Sequence, residues 1–289
     1  MFTRREFGTA TLGAFAGLGR LQPDARSNGV RLGVQTYSFR DVPRTAEGDM
    51  IEPLIRAMVA CGFTECELWA PQVEPPRRSR EELRTWRLQT PIAYFRAVKQ
   101  KFDAAKISIY GYNYSANTSY TDEEIDRGFA MAKALGAEII TASTTLDVAK
   151  RIAPFAERHR TIVAMHGHSN VTDPNEFATP DSFAAAMKMS KYFRINLDIG
   201  HFTAANFDPV AYIREHHASI TNLHLKDRRK NQGANVPWGE GETPIREVLQ
   251  LLKKERWPIP AYVEYEYPGK GTPVEESKAC LAYAQRMLA

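Results

Sequence analysis

After residue 30 the chain alternates short β-branched runs with longer amphipathic ones, eight of each, and few folds accommodate that pattern. The strand-like runs fall at 31–35, 65–69, 107–110, 138–142, 161–165, 193–197, 220–225 and 261–265. Helical periodicity fits 49–61, 80–105, 122–135, 146–159, 181–189, 209–216, 244–254 and 273–288. A strand followed by a helix, eight times over, predicts an α/β fold of the (β/α)8 TIM barrel type, which forms a single domain of about 250 residues. The stretch 28–289 supplies that length. A doubly wound open sheet is the competing arrangement, and it usually carries a glycine-rich phosphate turn after its first strand. Here that turn reads Gln35-Thr36-Tyr37-Ser38-Phe39, without a G-x-G.

The helix starts support the alternation independently. Thr179-Pro180, Asp208-Pro209, Thr243-Pro244 and Thr272-Pro273 each set a capping oxygen before a proline at the first helical position. Thr121 with Glu124 makes a capping box. Arg77, Arg78, Arg80, Arg84 and Arg87 crowd one segment, but Glu74, Glu81 and Glu82 among them predict a solvated helix entry rather than an anion site.

Residues 1–27 stand apart from the barrel. Thr3-Arg4-Arg5-Glu6-Phe7 precedes a weakly hydrophobic Gly/Ala-rich stretch with no acidic residue, the order of a twin-arginine export signal followed by a linker. The expectation is a periplasmic or extracellular protein exported already folded. No run of about 18 apolar residues occurs, so no membrane insertion of the mature form is expected. A net charge of +4, from 38 basic and 34 acidic residues, is too small an excess to predict a nucleic-acid partner. Cys61, Cys66 and Cys280 form no C-x-x-C pair and read as buried packing.

Barrel enzymes carry their chemistry at the C-terminal strand ends. Four of those ends hold metal-type ligands: Met165-His166-Gly167-His168, Leu197-Asp198-Ile199-Gly200-His201, His224-Leu225-Lys226-Asp227 and Glu264-Tyr265-Glu266. Carboxylates and imidazoles on adjacent strand ends converge on one divalent metal ion, with Mn²⁺ best suited to the mix and Co²⁺, Fe²⁺, Zn²⁺ or Mg²⁺ also open. His159, His216 and His217, on helix faces or ends, read as surface residues. Other strand ends suggest a carbohydrate pocket: Gln35 and Tyr37, Glu67 and Trp69, then Tyr110, Tyr112, Asn113 and Tyr114. Trp238, in the loop after the seventh strand, is placed as a lid or a partner contact. No Ser-His-Asp set, P-loop or haem motif is legible.

The His224-Leu225-Lys226-Asp227 segment, Asp198-x-x-His201 and Glu264-Tyr265-Glu266, in that strand order, resemble the xylose-isomerase-like barrel family, often called sugar phosphate isomerases/epimerases. The resemblance runs from about Val30 to the C-terminus. It implies one divalent metal held by His166, Asp198, His224 and Glu264, with His168 as reserve ligand or substrate contact and His201 touching substrate or bracing the site. Epimerases of that family carry a glutamate at the end of the fifth strand, where this chain has His166, and neutral imidazole does not replace a second carboxylate base.

The leading reading is therefore a metal-dependent keto-sugar isomerase or epimerase, acting by proton abstraction beside a carbonyl through a metal-stabilised enediolate. Glu264 is the expected base, and Lys226 offers positive charge to the oxyanion or, alternatively, a salt bridge to Asp227. His201 and Glu266 complete the substrate contacts. The alternative is a lyase, eliminating from a 3-keto-glycoside or dehydrating an inosose, and the third is a non-catalytic sugar-binding protein. A homo-oligomer or second subunit completing the pocket stays open.

Overall fold

Eight parallel strands, each bonded to the next in sequence, close on themselves. They are β2 (Val30–Gln35), β3 (Glu65–Trp69), β4 (Ser108–Asn113), β5 (Ile139–Ala142), β6 (Val163–His166), β7 (Phe193–Asp198), β8 (Ile220–Leu225) and β9 (Ala261–Val263). Leu32, Gly33 and Val34 of β2 pair with Ala261, Tyr262 and Val263 of β9, which shuts the barrel. The computed structural model describes residues 26–43, 51–76 and 78–289. The export-signal reading lies outside the described residues except at its last two positions. Arg26–Ser27, read as linker, form β1, antiparallel to Val30 and Arg31.

The helical layer follows the predicted periods, with differences that have local causes. It comprises α1 (Glu52–Cys61), α2 (Arg80–Gln89), α3 (Ile92–Ala104), α4 (Asp122–Leu135), α5 (Leu146–His159), α6 (Pro180–Met187), α7 (Ile199–Ala204), α8 (Pro209–His216), α9 (Ile245–Glu255) and α10 (Pro273–Leu288). The single helix expected over 80–105 is two, because Thr90 precedes Pro91 and takes extended ψ of 123°. Thr121, Thr179, Asp208 and Thr272 each accept a first-turn backbone N–H as expected. Thr243 does not cap: its Oγ1 accepts from Arg228 N at 3.0 Å instead, and Pro244 stands at the helix start. Helix α7, absent from the sequence reading, begins immediately after β7 and proves important below.

Packing shows why the barrel is continuous with its helices. Helix α9 turns Ile245, Val248, Leu249 and Leu252 inward at helical spacing, each burial contributing about 1.5–3 kcal/mol. The arginine-rich segment departs from the solvated reading at Arg87. That side chain is buried, donates to Glu74 at 2.7 and 2.8 Å, and reaches Glu124 at 3.2 Å. An ion pair thus ties α2 to the start of α4. Cys61, Cys66 and Cys280 are buried and unbridged.

Candidate active site

Each of the four C-terminal strand ends delivers one buried ligand atom to a common point. His166 closes β6, Asp198 closes β7, His224 is the fifth residue of β8, and Glu264 directly follows β9. One ligand atom from each lies within 4.8 Å of the other three. Asp198 shows how the fold aims such an atom. Its Oδ1 caps α7 by accepting from His201 N at 2.7 Å, which leaves Oδ2 for the site. Among the described residues, Asp198 Oδ2, Glu264 Oε2, His166 Nδ1 and His224 Nδ1 are buried and make no hydrogen bond of good geometry. Four convergent buried donor atoms of mixed N/O type, whose close contacts are ion pairs within the cluster and with Lys226, fit a divalent cation.

A fully buried carboxylate supports this cluster from below. Glu67 accepts from Gln35 Nε2 and Thr141 Oγ1 at 2.6 Å and from Asn222 Nδ2 at 2.7 Å. His224 Nε2 lies 2.8 Å from Oε2, the oxygen that also accepts from Asn222, so the ring donates there and turns Nδ1 toward the site. A carboxylate fixing a ligand imidazole in this way typically governs metal affinity 10–100-fold. Glu67→Gln is therefore expected to weaken metal binding by roughly 10–100-fold while the barrel stays folded, measured by metal titration with circular dichroism alongside. Unchanged affinity would remove Glu67 from this role. Glu67 was expected to touch substrate, but it lies beneath the cavity instead, because the pleat sends it to the barrel axis.

Lys226 joins the cluster rather than Asp227. Its Nζ lies 3.0 Å from Asp198 Oδ2, 3.0 Å from Glu264 Oε2 and 2.5 Å from Glu266 Oε2. Gly200 makes room for it, since a Cβ there would meet the Lys226 carbonyl at 2.8 Å as well as its side chain. Asp227 points away and accepts from Gly239 N at 2.8 Å, Gly241 N at 3.0 Å and Thr243 N at 3.2 Å. Burial favours the neutral carboxyl of Glu264, but Lys226 and His224 outweigh it and hold the group well below the usual carboxylate range. Burial raises Asp198 to about 6 against the pull of Lys226. For His224 burial opposes charge, and Glu67 and Glu264 overcome it, so the ring keeps a proton near Glu264 Oε2 at 2.9 Å. A cation entering this cluster displaces that proton.

Above the cluster opens a cavity of about 260 Å³. Gln35, Tyr37, Trp69, His166, His168, His201, His224, Lys226, Glu264 and Glu266 line it, all of them singled out from the sequence. Tyr37 and Trp69 stand edge to face at 4.9 Å and form an aromatic wall. His201 Nδ1 accepts from Arg228 Nη1 at 2.6 Å, which leaves Nε2 to donate into the cavity. Burial and the nearby Lys226 charge push His201 well below its ordinary range, so the ring is neutral.

Besides Glu67, four residues expected at the pocket, Tyr110, Tyr112, Tyr114 and Trp238, lie outside the cavity lining, and Tyr110 donates its hydroxyl to Thr221 O at 3.0 Å. Strand β4 runs to Asn113, so Asn113 faces the cavity while Tyr112 faces outward, stacked on Tyr114 with its hydroxyl 3.9 Å from Met131 Sδ. Trp238 does not line the cavity: Asp227 accepts from Gly239 N in its loop at 2.8 Å, and its ring packs edge-on against Tyr283 of α10 at 5.9 Å. His159, His216 and His217 sit in α5, at the end of α8 and just after it, as expected.

Sequence reasoning missed Ser115, Ser143, Glu176 and Arg228. Ser143 lies one residue past β5, the single strand end that carried no metal-type or sugar-type residue. It stands 2.9 Å from His168 Nε2, and His168 Nδ1 lies 3.2 Å from Glu176 Oε1. A Ser-His-acid set is thus present where none was legible.

Comparison with known proteins places this architecture. No curated protein matches the chain. A solved sugar phosphate isomerase/epimerase from Parabacteroides distasonis superposes with a TM-score of 0.62 at 19% identity, covering 88% of this chain and 93% of that one. The 3-keto-D-glucoside 4-epimerase of E. coli gives a TM-score of 0.62 at 11% identity, over 89% of this chain and 99% of that one. The IOLI protein, solved with a bound zinc atom, gives 0.63 at 14% identity, over 89% and 97%. At these identities the likeness is one of fold. The family model for xylose isomerase-like TIM barrels matches residues 55–284, most of the barrel, and the chain belongs to that family.

Proposed function

We propose that this protein is a divalent-metal-dependent keto-sugar isomerase or epimerase acting by proton abstraction beside a carbonyl. The observation that carries the reading is the convergence of four buried ligand-type atoms, from His166, Asp198, His224 and Glu264, at the floor of a polar cavity with an aromatic wall. A divalent cation held there supplies Lewis-acid polarisation of a carbonyl and its neighbouring hydroxyl. Mn²⁺ suits the ligand mix, and the zinc of a structural relative keeps Zn²⁺ beside it. Glu264, anionic and in the cavity wall, takes the proton from the carbon between the two oxygens. Lys226 Nζ brings positive charge to the oxygen that becomes anionic. His201 donates its Nε2 proton to a substrate hydroxyl, while Tyr37 and Trp69 pack the C–H face of the ring.

We further propose export, on the Arg4-Arg5 motif, and an exported enzyme would meet unphosphorylated keto-sugars and keto-glycosides as substrates. His166 in place of a strand-end carboxylate supports a second reading, β-elimination from a 3-keto-glycoside, which begins with the same proton abstraction. Incubation of Mn²⁺-loaded protein with a panel of keto-sugars and 3-keto-glycosides in D₂O separates them. The expected product is a ketose or epimer carrying deuterium at the carbon beside the carbonyl. A released aglycone or unsaturated sugar would select the lyase. Neither product, with no deuterium uptake, would overturn both.

A further inference from the structure

Strand β4 lies four places from β8 around the closed ring, so its end stands across the cavity from His224 and Lys226. Asn113, the last residue of β4, and Ser115, two residues on, line that far wall. Glu67 sets the direction of the polar groups there from below. Its Oε1 accepts from Asn113 Nδ2 at 3.3 Å and from Thr141 Oγ1 at 2.6 Å, and the Thr141 oxygen accepts from Asn113 Nδ2 at 3.1 Å. A carboxylate offers no donor, so both amide hydrogens of Asn113 turn down to this pair and Oδ1 faces away from Glu67. Ser115 Oγ donates to that Oδ1 at 3.2 Å and accepts from Ser143 N at 3.0 Å. The donors of Asn113 and Ser115 are then spent, and what their side-chain oxygens still offer the cavity is lone pairs. Gln35 is turned the same way, with Nε2 on Glu67 at 2.6 Å and Oε1 on Tyr37 N at 3.1 Å.

The cations near the cavity already have partners. Lys226 stands among Asp198, Glu264 and Glu266. Arg228 donates to Gly233 O at 2.7 and 3.1 Å, to Ser169 Oγ at 3.0 Å and to His201. Arg40 donates to the Tyr37 and Tyr265 carbonyls at 3.3 and 2.8 Å and stacks on both rings. A free hydroxyl brings a donor to the far wall and finds an acceptor. A phosphate ester or a carboxylate brings only acceptors and negative charge, and finds no donor on Asn113 or Ser115.

We propose that Asn113 and Ser115 form a hydroxyl-reading subsite, which takes a neutral sugar with a free hydroxyl remote from the carbonyl and disfavours the same sugar carrying a phosphate or carboxylate there. It rests on the reading of the cavity as a keto-sugar site and narrows its substrate class on grounds independent of export. The carbonyl and its neighbouring hydroxyl face the cluster at the ends of β6 to β9, which leaves the remote carbons for the end of β4. Asn113 is buried and held by Glu67 and Thr141, whereas half-buried Ser115 is the specificity-determining contact.

The test takes the panel substrate that exchanges deuterium fastest, its monodeoxy analogues at the remote carbons, its terminal phosphate ester and its uronate. Metal content and circular dichroism are measured for each protein. With the wild type, the phosphate ester and the uronate are expected to need at least about 10-fold more substrate than the neutral sugar for half-maximal exchange. Ser115→Ala is expected to raise that concentration for the neutral sugar about 3- to 10-fold and to leave the saturated exchange rate unchanged. For the analogue that lacks the hydroxyl read by Ser115, wild type and variant should agree. Calorimetric titration of the same sugars should show the same pattern of affinities. A phosphate ester or uronate that saturates at or below the concentration of the neutral sugar would overturn the subsite. So would a Ser115→Ala variant unchanged toward the neutral sugar, or weakened equally toward every analogue. Wild-type protein that holds metal yet exchanges none of the panel would instead overturn the keto-sugar reading, and the subsite with it.

Discussion

Glu264→Gln, assayed with metal in excess, is expected to lower turnover by roughly 10²–10⁴-fold and to shift substrate affinity only a few-fold. The expectation follows from what the exchange of one oxygen for an amide removes. Glu264 is buried, yet Lys226 at 3.0 Å and His224 at 2.9 Å keep it anionic. The amide oxygen still ligates weakly, and Lys226 keeps Asp198 and Glu266 as partners. What disappears is basicity. Solvent deuterium should enter the product carbon with the wild type and fail to enter with the variant. A fully active variant would move the base to Glu266, the other carboxylate in the cavity wall, because Glu67 lies below the floor with its oxygens committed to Gln35, Thr141, Asn222 and His224.

The barrel was legible because its signals are local. Period, β-branching and threonine-proline caps lie within a dozen residues of each other, and β8, α8 and α10 fall at the predicted bounds. Where a local rule met a tertiary competitor, the competitor won, as when Thr243 gave its hydroxyl to Arg228. The convergence of the four candidate ligands was legible for a related reason: a parallel barrel sends every strand's C-terminal end to one face, so strand order alone brings them together. Facing was harder to read. A strand's two faces alternate, and an end placed three residues short at Tyr110 left Tyr112 on the wrong side. Partners distant in sequence were not legible at all. Ser143 and Glu176 lie 25 and 8 residues from His168, with no spacing rule to join them, and only the closed barrel shows that they meet. The same holds for Arg228 on His201, whose meeting depends on the loop after β8 folding back over α7.

The central claim is that one divalent cation is held between His166, Asp198, His224 and Glu264. Asp198 is the ligand that isolates it best, since its Oδ1 caps α7 while Oδ2 faces the cluster, where its other close partner is the Lys226 ammonium at 3.0 Å. Metal analysis after Mn²⁺ loading and dialysis, on wild type, Asp198→Ala, His166→Ala and His168→Ala, measures it directly. The account predicts close to one equivalent in the wild type and in His168→Ala. It predicts occupancy approaching zero in Asp198→Ala and His166→Ala, with each variant's circular dichroism reporting a folded barrel. Equal metal content in the wild type and a folded Asp198→Ala would contradict it.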